Sequence, residues 1–85
     1  MMHTIIGLDE IKVGECAVVH ELQNPSAMRQ RLQDLGLIEE TAVECIGKAP
    51  GGALCAYLIR GAVIAIRASD ARFVRVLPRF PQTKR

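Results

Sequence analysis

The sequence predicts a small, mainly β barrel of about five strands, with one short α-helix inserted after the first strand and a single helical turn before the last. Three observations lead there. The chain has 85 residues, enough for one domain with a modest core but not for two. Its apolar stretches are short and bounded by charge, Gly or Pro: Ala17 to Val19, Ala53 to Ile59 and Ala62 to Ile66. Those stretches are joined by tight Gly turns, and closing such short strands into a barrel removes edges that a small domain has little material to cover. No internal repeat is visible.

Taken in order, Leu8 to Val13 reads as a short lead-in, and Gly14 turns the chain into a strand over Glu15 to Leu22, rich in strand formers. Asn24-Pro25-Ser26 then breaks the pattern. Asn24 suits an N-cap and Pro25 the first helical position, where a missing N–H costs nothing. Met28, Leu32 and Leu35 recur at helical spacing, with Arg29, Gln30, Gln33 and Asp34 outside that face. Gly36 can take the left-handed conformation of a helix stop, which places Leu37 to fold back on Leu32. A three-stranded meander follows over Thr41 to Lys48, Ala53 to Ile59 and Ala62 to Arg67, turning at Ala49-Pro50-Gly51-Gly52 and at Arg60-Gly61. Ser69 or Asp70 can cap one helical turn ending near Arg72. A last strand alternates Phe73, Arg75 and Leu77 with Val74 and Val76, and Pro78 and Pro81 are expected to end ordered structure. The barrel should occupy residues 1–78, with 79–85 a polar tail.

Composition narrows the function classes. No apolar stretch approaches the roughly 20 residues of a membrane-spanning helix. The first residues have no basic lead and run at once into Asp9 and Glu10, so a cytosolic location is expected. Cys16, Cys45 and Cys55 are odd in number and widely spaced, which suits reduced, packed thiols rather than a disulfide framework. With His3 and His20 they supply metal-ligand atoms, but no two at the close spacing of a preformed site, and neither a metal nor a cofactor is expected. No Ser-His-Asp ordering, Gly-rich phosphate loop or carboxylate cluster is present, so the chain reads as no enzyme and no small-molecule substrate is expected. The formal net charge is +2. Arginines and lysine do gather from Arg60 to Arg85, which keeps an RNA-binding barrel as the competing class. The only aromatics, Tyr57, Phe73 and Phe80, are too scattered to form a base-stacking platform.

Leu8, Ile11, Gly14 and Ala17, followed by Arg31-Leu32-x-x-Leu35-Gly36-Leu37, resemble the opening of the FeoA family. Ala49-Pro50-x-Gly52, Arg60-Gly61, Ile64-x-Ile66-Arg67, Asp70-Ala71 and Val74-x-Val76 continue the likeness in register. Two departures stand out: Glu39-Glu40 occupies a turn usually made by Pro-Gly, and Ala53 stands where Asp is usual. The resemblance implies an SH3-like barrel that assists or regulates, by contact, a membrane ferrous-iron permease carrying a cytosolic GTPase domain. It also implies recruitment to the inner face of the membrane by that partner.

Candidate partner-binding residues are Arg29, Arg31, Leu35, Gly36 and Leu37 around the helix, and Leu54 and Leu58 on the meander. Arg29 and Arg31 are placed in the first helical turns, where the dipole disfavours cations. They either contact a partner, an arginine delivered to a GTPase being one form of that, or are solvated, with Arg31 pairing Asp34. The strands Ala53 to Ile59 and Ala62 to Ile66 are apolar on both faces, with Leu54, Ala56 and Leu58 alternating with Cys55, Tyr57 and Ile59, so their outer face needs cover. That cover is the chain's own helix and C-terminal segment, a partner, or a second copy; the last two are favoured.

Overall fold

The structure, a computed structural model, describes residues 4–79. Its strands are β1 (Ile6–Gly7), β2 (Cys16–Leu22), β3 (Ala42–Lys48), β4 (Leu54–Ile59), β5 (Ala62–Arg67) and β6 (Val74–Arg79). Helix α1 (Ser26–Asp34) lies between β2 and β3, and the single turn α2 (Ala68–Ala71) between β5 and β6. All strands join one antiparallel sheet in the order β1-β6-β2-β3-β4-β5. The sheet curls so that its ends approach: α2 touches both β5 and the 3₁₀ turn Leu8–Glu10 that follows β1. The mainly β class and the inserted helix match the sequence reading. The sixth strand is new, and it is only two residues that pair Ile6 with Val76 and Gly7 with Arg75.

Alternation along the strands builds the core. Ala17 and Val19, Val43 and Cys45, Cys55, Tyr57 and Ile59, and Val74 and Val76 all point inward and are buried. Leu8 and Ile11 close the barrel from the lead-in segment, and Leu32 and Leu37 from the helix. Each buried leucine of this kind contributes about 1.5–3 kcal/mol. Tyr57, fully buried, donates from its hydroxyl to the Leu8 carbonyl at 3.2 Å, which ties β4 to the opposite side of the barrel. Bulges at His20 and Ile46 interrupt the otherwise continuous ladders and bend β2 and β3.

The helix stop forms as its sequence implies. Gly36 has φ +111°, Leu37 N–H donates to Leu32 O and Gly36 N–H to Gln33 O, both at 3.0 Å, the paired bonds of a Schellman motif. Arg60 and Gly61 both have positive φ, the pattern of a type I′ hairpin turn.

Several local expectations give way to longer-range bonds. Asn24 does not cap α1: Pro25 is the N-cap, and its carbonyl accepts from Arg29 N–H at 2.8 Å. Asn24 is instead buried, and its Nδ2 donates to the Asp70 carbonyl at 2.9 Å. The Asp70 carbonyl, which also accepts from Phe73 N–H at 3.2 Å, thereby gains a second donor, while the uncapped N–H groups of α1 can be met by water. Ser69 and Asp70 do not cap the second turn either; they lie within it, and Arg67 is its N-cap. Pro78 does not end order, since β6 runs through it to Arg79 and pairs it with Ala17. β1 reaches only Arg75 and Val76, so beyond them β6 has a free side where a residue lacking N–H is tolerated. Pro81 lies outside the described residues.

The Glu39-Glu40 turn holds its geometry at a cost. Glu40 sits at φ +70°, a conformation that costs a residue with a side chain about 1–2 kcal/mol. It is held there by its N–H bond to Val19 O at 2.7 Å. Glu40→Gly should therefore raise stability by about 1 kcal/mol, read as a higher urea midpoint at unchanged m-value. Tyr57→Phe should lower it by about 1 kcal/mol, because the Leu8 carbonyl loses its hydroxyl partner and keeps only the longer bond from Ile11 N–H at 3.4 Å. Burial holds the Tyr57 phenol well above its ordinary value of 10.0. The folded state thus binds that proton more tightly, and the stability it contributes is complete below pH 10 and falls as pH rises past it. Tyr57→Phe should flatten that alkaline decline in a series of unfolding curves.

Candidate functional site

Helix α1 lies across one end of the barrel, with Leu32 in the core and Met28 packed against it. Its flanks open onto two different grooves. On one side, Arg29 lines a shallow groove with His20, Gln33 and Glu39. Arg29 is partly engaged there, its Nη1 donating to the Asn24 carbonyl at 3.2 Å. On the other side, Arg31 and Leu35 line a groove of about 270 Å³ together with Ala65, Ile66 and Arg67 of β5 and Asp70 of α2. Arg29 and Arg31 therefore do not act on one surface.

The dipole conflict ascribed to both arginines does not hold for Arg31. The helix ends at Asp34, so Arg31 stands in its last turn, where a cation is favoured. Asp34 pairs with Gln30, whose Nε2 donates to its Oδ1 at 3.0 Å, rather than with Arg31.

Leu37 is fully buried and serves the core. Gly36 closes the helix beneath Arg60: a Cβ there would come within 2.9 Å of Arg60 Cδ. Leu54 and Leu58 lie away from both helical grooves, on the outer face of the meander, and remain exposed. The strand register extends that face: Leu58 sits between Glu44 and Val63, and Ala56 between Gly47 and Ala65. Val63, 63% exposed, contributes to it from Ala62 to Ile66, the second strand that reads as apolar on both faces, and is not among the residues the sequence singles out as sites. Among the described residues neither α1 nor the C-terminal strand covers this face.

A third groove, about 610 Å³, runs between β2, β3 and β6 and is lined by His20, Glu39, Glu40 and Arg79 over Val18 and Leu77. Among the described residues no three His, Cys, Asp or Glu side chains converge as metal ligands; His3 lies outside them. Cys45 and Cys55 are buried in the core and Cys16 is partly buried. Burial pushes the Cys45 thiol up, which opposes formation of the thiolate that would ligate a metal. No helix among the described residues is long and apolar enough to cross a membrane.

The comparisons agree with this architecture. The FeoA domain model matches residues 6–78. A FeoA-like protein from Clostridium acetobutylicum is 27% identical, with 99% of this chain and 95% of that chain covered and a TM-score of 0.78. The zinc-complexed FeoA of Stenotrophomonas maltophilia, described as an SH3 domain protein and put forward as a ferrous iron transport activating factor, is 29% identical over 89% of each chain, with a TM-score of 0.73. A manganese-dependent transcriptional repressor shares the fold alone, at 12% identity and a TM-score of 0.80, with 87% of this chain covering 41% of that one. No curated protein matches. The SH3-like barrel, its Gly36 helix stop and a family match spanning every strand make this chain a member of the FeoA family of ferrous iron transport accessory proteins.

Proposed function

We propose that this chain is a non-enzymatic accessory protein of bacterial ferrous iron uptake, which binds the cytosolic GTPase part of a membrane ferrous-iron permease and assists or regulates it. The observation that carries the reading is the uncovered apolar face of the meander, where Leu58 stands exposed opposite Val63 and Leu54 continues the same side of β4 beyond Ala56. Contiguous apolar surface on so small a domain marks a place where another protein sits. Family membership supplies the transport system in which that partner belongs. The protein works in the cytoplasm on this reading and reaches the inner face of the membrane through its partner, with ferrous ion as the permease's cargo.

RNA binding is the competing class. The exposed Phe73 ring is overlaid by its neighbour Arg72, with the guanidinium carbon 5.1 Å from the ring centroid, which occupies a face that a base would stack on.

Titration calorimetry of the chain against the GTPase domain of the cognate permease, with and without nucleotide, should give saturable heat that persists as salt rises from low to moderate. Absence of heat in every condition, or a retained RNA whose affinity falls steeply with salt, would overturn the adaptor reading.

A further inference from the structure

We propose that the free edge of β5, with α1 alongside it, is a docking groove for an extended, acidic segment of the partner protein, taken up as an added strand. This rests on the adaptor reading above and adds, beside the outer face of the meander, a second surface for the same partner.

β5 is the last strand in the sheet order and pairs only with β4 among the described residues. Proteins normally blunt such an edge with a bulge, a proline or an inward charge. β5 has none of these: its six residues pair with β4 without a register shift, and Ala62-Val63-Ile64-Ala65-Ile66 is apolar throughout, with a charge only at Arg67. The two-residue turn makes Ile59 and Ala62 a hydrogen-bonded pair, so the N–H groups of Ala62, Ile64 and Ile66 face β4. Those of Val63, Ala65 and Arg67 consequently face outward, away from the sheet.

The groove lies against the Ala65–Arg67 end of that edge and not over either face of the strand, because both the exposed Ala65 and the buried Ile66 line it. Its far wall is α1. The lining combines apolar side chains, Leu32 and Leu35 from the helix and Ile66 from the strand, with the exposed Arg31 and Arg67 and a single carboxylate, Asp70. Arg60 adds a third guanidinium at the opposite end of β5, where its side chain lies over Gly36. An extended segment with apolar residues facing Leu35 and Ile66, and carboxylates toward Arg31, Arg60 and Arg67, matches this layout. Backbone bonds to the open edge would then supply affinity and the arginines would set direction.

Charge also decides against a second copy as the occupant. Antiparallel pairing of two β5 edges would bring Arg67 of each copy beside the Arg60-Gly61 turn of the other, cation against cation, which destabilises a strand pair.

The calorimetric titration against the permease GTPase domain tests this with two variants of the full chain. Ala65→Pro removes an outward N–H while leaving the β4 ladder intact, and Arg31→Glu/Arg67→Glu reverses the charge of the groove without touching the core. Each should weaken binding at least tenfold, and the charge-reversed protein should stay folded, with an unfolding temperature lowered by no more than a few degrees for the loss of a cation in the last turn of α1. If wild type binds and both variants bind within twofold of it, the groove assignment is overturned while the adaptor reading stands. If wild type does not bind, both fall. Should Ala65→Pro fail to fold, the charge-reversed protein alone decides. Sedimentation showing a wild-type dimer that Ala65→Pro dissolves would overturn the acidic segment in favour of a second copy.

Discussion

The helix stop at Gly36 is the constraint on which the rest of the molecule depends. Its left-handed backbone lets Leu37 N–H return to Leu32 O, so two leucines enter the core from either side of one turn. The same stop fixes where α1 finishes, and with it the position of Arg31 and Leu35 beside β5. It requires glycine for its φ, and a side chain there would also have to push the overlying Arg60 side chain aside. Stability and surface chemistry therefore share a single backbone conformation.

A second layer of order comes from bonds that span the chain. Tyr57 reaches Leu8, and Asn24 reaches Asp70. Through Asn24, whose carbonyl also accepts from Arg29, the start of α1 is tied to the end of α2. Those two helices form walls of the groove next to β5, so part-buried polar bonds link the two walls.

These two layers differ in how far the sequence discloses them. The strands, the helix stop and the Arg60-Gly61 turn are local: alternation, a leucine pair around glycine, and a positive-φ dipeptide each act over a few residues. Asn24 reads locally as a cap and structurally as a tether, because a half-buried carbonyl 46 positions away takes its amide. Pro78 looks like a terminator until the neighbouring strand is seen to stop short of it. Arg29 and Arg31 look like a pair, yet two residues along a helix are 200° apart, which sends them to separate grooves. The exposed strand edge is the least legible feature, since being last in a sheet belongs to topology and not to composition.

The pairing of β1 with β6 sets Ile6 directly opposite Val76, so the domain begins and finishes on neighbouring strands. A unit with that arrangement can be carried by a longer polypeptide, entered and left at one spot, without any strand being displaced from the barrel. The same barrel fold within a repressor more than twice its length is an instance of such portability. Modularity is thereby written into the shortest strand of the sheet.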